Sequence, residues 1–265
     1  MTPPPTILGV HGIGNHQPGA TPDDAAALLS GRWGAALGRP LRVAYYAHHL
    51  APGLAQGVDE PEWLAAEERL LLLALARNLG APAEVAQGRL TAPARRAADW
   101  IARRHGLDAR LVGRFVARFC REVDTYFRDA DRRAAARDEV ARRLAEAAPR
   151  VVIAHSLGSV VAYEALHAHP HPPVELLITL GSPLGMPDVV HDRLVPAPPG
   201  HRPPGVRRWV NIADPGDLVA LPRHLATRFA GVDADVETTI ATFDFHKVTH
   251  YLACPATTTA VAVVG

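Results

Sequence analysis

The chain has 265 residues, 48% of them hydrophobic and 21% charged, with a net charge of +1. That is enough chain for one α/β core with elaborations, and the near-neutral balance argues against nucleic acid or an anionic membrane as a partner. Two cysteines, Cys120 and Cys254, are too few for a disulfide framework, and no run approaches the ~18 apolar residues of a membrane span. The N-terminus lacks the basic and apolar segments of an export signal, so the sequence reads as a cytoplasmic protein without stable membrane insertion.

Thr6 to Val10 is a short apolar run and the first expected strand. It runs into His11-Gly12-Ile13-Gly14-Asn15-His16, where two glycines allow backbone amides to turn inward. Thr21, Pro22, Asp23 and Asp24 open a helix with a hydroxyl cap, a proline in the first turn and acids at the positive dipole end. It runs through Leu28, Leu29 and Trp33 to about Leu37, where Gly38 and Pro40 stop it, and Leu41 to Ala47 is a second strand. Residues 60–148 read as helix upon helix. Leu107, Leu111, Val112, Phe115, Val116, Phe119, Val123, Tyr126 and Phe127 keep helical spacing, with Cys120 on the same apolar stripe. Arg110, Arg114, Arg118 and Arg121 fall on or beside the opposite face, which reads as solvated. This is more helix than a crossover between parallel strands needs. One helix returns to the sheet, and the remainder is an insertion, read as either a cap or a scaffold bundle.

Val151, Val152 and Ile153 have the composition of a buried parallel strand. Ala154-His155-Ser156-Leu157-Gly158 follows, then a helix from Ser159 to Leu166. A strand, a sharp turn with serine at its apex and a helix form a nucleophile elbow, which needs small residues two before and two after the serine. Ala154 and Gly158 meet that need. Val174 to Leu180 is a strand ending in Gly181-Ser182-Pro183, with Ser182 read as a turn hydroxyl. Pro196 to Pro204 is irregular, Val206 to Ala213 is the next strand, and Asp235 to Phe245 contains a last weak one. Ala256 to Val264 fits a helix or a strand. Alternating apolar strands and helices imply an α/β fold with a parallel sheet covered on both faces.

A serine hydroxyl needs a base to act as a nucleophile, and a histidine base needs a carboxylate that fixes its tautomer. Asp217 follows an apolar strand, where ligand-facing residues of open α/β sheets collect, and His250 precedes the closing apolar segment. Asp214 and His246 are the competing choices. Asp217 is preferred because Asp217-Leu218-Val219 returns the chain to packing, and His250 because it directly precedes Tyr251-Leu252. An oxyanion needs two convergent N–H donors: Leu157 at the start of the elbow helix, and Ile13 in the loop that His11 and Gly12 shape. His11, Gly12 and His155 are expected at the substrate, and contact from His48-His49 is a further option. Gly12-Ile13-Gly14 lacks the third glycine and the lysine of a phosphate loop. His167, His169 and His171 alternate but are broken by Pro170, Pro172 and Pro173, so they read as surface histidines rather than a metal site.

Val10-His11-Gly12-Ile13-Gly14, the elbow, Thr179-Leu180-Gly181-Ser182-Pro183 and Asn211-Ile212-Ala213-Asp214-Pro215-Gly216-Asp217 together resemble the α/β-hydrolase superfamily. The first two resemble most the small bacterial lipases and esterases, which also use alanine at the first elbow position. The resemblance covers residues 6–47 and 150–264. It implies an α/β-hydrolase fold of one domain over residues 1–265, with about six mostly parallel strands, helices on both faces and the 60–148 insertion before the nucleophile strand. It also implies a Ser156–Asp217–His250 triad, oxyanion donors at Ile13 and Leu157, and no metal or organic cofactor. The implied activity is hydrolysis of a small-molecule ester or thioester. The alternatives are an acyltransferase or serine peptidase with the same residues, or a non-catalytic binding protein on that scaffold.

Overall fold

The computed structural model describes residues 6–51, 60–85, 92–240 and 246–264. In chain order the elements begin with β1 (Ile7–Val10), α1 (Pro22–Leu37), β2 (Arg42–Ala44) and α2 (Ala47–Leu50). Four helices follow: α3 (Ala66–Asn78), α4 (Ala92–His105), α5 (Ala109–Arg128) and α6 (Ala130–Ala147). Then come β3 (Val151–His155), α7 (Leu157–Ala168), β4 (Val174–Leu180), β5 (Gly200–His201) and β6 (Val206–Ala213). The chain closes with β7 (Phe229–Ala230), β8 (Ala234–Glu237), α8 (Val248–Ala253) and α9 (Pro255–Ala262). Six strands pair in the order β2-β1-β3-β4-β6-β8, every pairing parallel, and β5 and β7 make a separate small ladder. The fold is α/β, with a six-stranded parallel sheet flanked by helices.

Alternation along the strands sorts the core into two layers. Ile7, Val151, Ile153, Leu176 and Ile178 pack with Leu29 and Trp33 of α1, Leu252 of α8 and Val261 of α9. Leu8, Val10, Val152, Ala154 and Leu177 face the opposite layer, built from α3 to α7. Helix α6 packs on α7 and β1 and is the crossover onto the sheet, while α3, α4 and α5 pack on one another beyond it. Helix α1 starts where its sequence marks it, with Thr21 Oγ1 accepting from the Asp24 N–H at 3.2 Å, and ends at Gly38 in the left-handed region. Among the described residues no helix is long and apolar enough to cross a membrane.

Three boundaries differ from the sequence reading. The second strand pairs only over Arg42–Ala44, because the Tyr46 N–H and hydroxyl are both directed to His11 rather than to a neighbouring strand. Ala256 to Val264 resolves as helix, with Pro255 in its first turn. The last strand is short, Ala234–Glu237, and residues 241–245 of that prediction lie outside the described residues, as do 86–91 of the helical insertion.

One buried ion pair binds the helical layer to the elbow helix. Glu164 of α7 is fully buried and accepts from Tyr126 Oη of α5 at 2.7 Å and from the Val195 N–H at 3.0 Å. Arg133 of α6 donates to it through Nε at 2.9 Å and through Nη2, and its Nη2 also reaches the Arg193 carbonyl. Losing one partner of a buried pair leaves the other charge without compensation. Glu164→Ala is therefore expected to lower unfolding free energy by ~3–5 kcal/mol, against ~1–2 kcal/mol for Tyr126→Phe, in urea titrations. Equal and small losses in both variants would show that the pair does not hold these helices.

Candidate active site

The elbow is strained. Ser156 has φ 55° and ψ −133°, a region that non-glycine residues rarely enter and that costs on the order of 1–3 kcal/mol. Its neighbours over-determine that backbone. The Ser156 N–H donates to the Leu180 carbonyl at 3.0 Å, and its carbonyl accepts from the Ser159 N–H at 2.9 Å and the Ser159 hydroxyl at 2.6 Å. Ser159 Oγ in turn meets Ser182 Oγ at 2.7 Å, so Ser182 supports the elbow from the end of β4. Glycine is required at two contacts. A Cβ on Gly158 would lie 2.2 Å from the His11 carbonyl oxygen, and one on Gly12 would lie 2.5 Å from Ser156 Cβ. Helix α7 thus starts directly against the end of β1, and the Ile13 loop is pressed onto the elbow. Among the described residues, no turn or side chain takes up the N–H of Ile13 or Leu157.

Asp217 is buried and fully engaged. It accepts from His246 Nδ1 at 2.7 and 2.9 Å, from Tyr251 Oη at 2.7 Å and from the Val219 N–H at 3.0 Å. A Cβ on Gly181 would stand 2.6 Å from Asp217 Oδ2, so that glycine makes room for the carboxylate. Asp214, the competing acid, is committed elsewhere. Its oxygens accept from the N–H groups of Gly216 and Ile240, both at 2.6 Å.

The structure brings Asp217 to His246 and not to His250. Helix α8 begins at Val248 and turns Tyr251 toward the acid, which carries the preceding His250 to a different side of the helix. His246 lies before the helix, where the backbone is free to fold its ring onto Asp217. With Nδ1–H donating to the carboxylate, His246 Nε2 is the acceptor end of the ring. Both it and Ser156 Oγ are buried without a hydrogen-bond partner.

The three residues expected at the substrate divide. His155 lines a cavity of about 520 Å³ together with Ile13 and His246. Its ring centroid lies 4.6 Å from that of His246. Burial first, and then the His246 ring, hold it well below the usual imidazole range, so it is neutral. Gly12 packs against Ser156, and His11 is fully buried behind the loop, so both shape the site from outside the cavity lining. His11 Nδ1 donates to the Gly12 carbonyl at 2.9 Å, Nε2 accepts from the Tyr46 N–H at 3.2 Å, and the ring stacks on Tyr46 at 4.3 Å. Gly181, Ser159 and Tyr251 escaped the sequence reading. Each supports a neighbour, and only the glycine after a strand carried a signal of its role.

No family model matches the chain, nor does any curated protein or solved structure.

His11 makes the fold acid-sensitive. Burial lowers its pKa from 6.5 to about 4, so the unfolded chain takes up a proton first as pH falls. Its contribution is fully present above pH 6.5 and is lost as pH falls through about 4, ~3 kcal/mol in all. Urea unfolding at pH 7.0, 5.5 and 4.5 is expected to show a smaller pH dependence in His11→Asn than in the wild type. An unchanged slope would remove His11 as the cause.

Proposed function

We propose that this protein is a serine hydrolase acting on a carboxylic ester or thioester. The observation that carries the reading is the buried Asp217–His246 pair, whose outer nitrogen and the Ser156 hydroxyl at the elbow apex are both buried without a partner. In the reaction, Ser156 Oγ attacks the acyl carbon while His246 Nε2 takes its proton. Asp217 holds the ring in the needed tautomer and stabilises the imidazolium. The carbonyl oxygen, now carrying the negative charge, lies against the N–H groups of Leu157 and Ile13. Collapse of that intermediate breaks the ester bond, and the leaving alkoxide or thiolate takes the proton back from His246. Water then attacks the acyl-enzyme by the same route, releases the acid and restores Ser156. His155, held neutral, adds no charge beside the base.

Fluorophosphonate labelling and 4-nitrophenyl ester hydrolysis test this. Ser156→Ala is expected to abolish labelling, and His246→Ala to lower kcat/KM by ~10³–10⁴-fold, while His250→Ala stays within a few-fold of wild type. Wild-type labelling no stronger than that of Ser156→Ala, or an equal loss at His250, defeats the assignment.

Tyr251 is a positioning residue in this scheme. Removing its hydroxyl takes one donor from Asp217, leaves more negative charge facing the His246 N–H and favours the protonated ring. In Tyr251→Phe the acidic limb of the kcat/KM profile is expected to move to higher pH by ~0.5–1 unit. A rate lowered equally at every pH would reduce Tyr251 to packing.

A further inference from the structure

The carbonyls of the loop after β1 are held by side chains. The His11 carbonyl accepts from Tyr46 Oη at 2.7 Å, and the Gly12 carbonyl accepts from His11 Nδ1 and from Asn15 Nδ2, each at 2.9 Å. Asn15 Nδ2 also donates to the Ile13 carbonyl at 3.1 Å. One carboxamide therefore commits both of its N–H groups to the two peptides that flank Ile13. Gly14, at φ 73°, turns the chain so that the Asn15 side chain folds back over the residues two and three before it. The Gly14 N–H, at the other end of the Ile13–Gly14 peptide, donates to Glu122 Oε1 of α5 at 2.8 Å. Ile13 and Asn15 line the cavity beside His155 and His246, together with Arg114, Phe115 and Arg118 of α5. A peptide group is planar, and Gly12–Ile13 is trans, so fixing the Gly12 carbonyl fixes the Ile13 N–H in the opposite direction. Among the described residues that N–H has no acceptor of its own, so nothing on its side resists rotation of the plane. An unpartnered N–H favours turning toward an acceptor, and the two donors on the carbonyl oppose that turn.

We propose that Asn15 is a positioning residue of this site: with His11, it clamps the Gly12–Ile13 peptide so that the Ile13 N–H stays available to an oxyanion. This rests on the hydrolase reading for the oxyanion, and on the hydrogen bonds alone for the clamp. Both N–H groups of the Asn15 carboxamide are taken by carbonyls, so the side chain acts through Ile13. An oxyanion donor is effective only when it is in place before the charge develops, because a peptide that must turn during the reaction loses that advantage. The clamp also needs a carboxamide in particular. Two acceptors face one Nδ2, and a carboxylate of the same shape offers no donor to either.

The first arm is kinetic. In 4-nitrophenyl ester hydrolysis, Asn15→Ala is expected to lower kcat ~10–50-fold and to leave KM within ~2-fold of wild type. The loss is smaller than the ~10²–10³-fold of a deleted oxyanion donor, because His11 still holds the Gly12 carbonyl. Asn15→Asp keeps the shape, removes the donors at neutral pH and is expected to lose at least as much. A loss confined to KM, an unchanged kcat in Asn15→Ala, or full activity in Asn15→Asp overturns the proposal. Asn15 is half-buried in a loop, so both variants are expected to unfold in urea as cooperatively as wild type. A variant that does not makes Asn15 a residue of the fold and overturns its assignment to the site. The second arm needs no catalysis. NMR relaxation of the Ile13 amide is measured in wild type and in Asn15→Ala. The order parameter is expected near ~0.85 in wild type and to fall toward ~0.6 in the variant. An unchanged value overturns the clamp. A fall in a protein that hydrolyses no ester leaves the clamp standing, and the hydrolase reading alone then fails.

Discussion

The site depends on how closely α7 approaches the end of β1. Gly158 sits against the carbonyls of Val10 and His11, closer than any Cβ allows, and Gly12 sits against Ser156. That approach sets where the Leu157 and Ile13 amides stand relative to one another. It also forces the chain to reverse within one residue, which gives Ser156 its positive φ. An alanine at Gly158 could not relax into place, because the obstructing atoms are backbone, of His11 and of Val10, and Val10 is held in the pairing of β1 with β3. The constraint also explains the neutral, fully buried His11. A loop held this tightly leaves little room for water, so its polar groups are satisfied by the His11 ring and the Tyr46 backbone and hydroxyl.

A second constraint fixes the helices beyond the sheet. Glu164 lies on the elbow helix, and its partners come from α5, α6 and the segment before β5. The helix that supplies Tyr126 to this pair also carries Phe115 and the two arginines of the cavity wall. The position of those residues is therefore tied, through one buried carboxylate, to the helix that starts beside Ser156. This ties the insertion to the site mechanically, whereas sequence spacing alone left it as either a cap or a scaffold.

The strand-turn-helix at Ser156 and the loop after β1 were legible because steric necessity at fixed spacing leaves few residue choices, and Ala154, Gly158 and Gly12 are those choices. Asp217 was legible as a polar residue just past an apolar strand. The base was not. Adjacency to the closing apolar segment favoured His250, but consecutive helical residues point ~100° apart, and Tyr251 takes the direction of the acid. The partner of Asp217 is instead His246, two residues before the helix, a position that periodicity does not mark. The arginine face of α5 read as solvated, and Arg110, Arg114 and Arg118 are exposed. Spacing did not show that Arg114 and Arg118 also line the cavity beside His155 and His246. The end of the chain resolved as helix because Pro255 suits a first turn, a signal one residue outside the ambiguous segment.

The site concentrates features that oppose stability: a strained serine, a buried carboxylate and an imidazole kept neutral by burial. Each is tolerable only because its surroundings are fully specified. Asp217 has three donors, Ser156 has its backbone bonded on both sides, and His155 is packed between the rings of His246 and Tyr251. The parallel sheet carries the compensating apolar burial on both faces. A substitution at any of these supports should then affect the site more than the fold, because the strain it releases is local while the burial that stabilises the chain lies elsewhere. Glu164 is the exception that follows from the same logic. It is a buried charge away from the cavity, bonded to three elements, and its loss acts on the packing that the site relies upon.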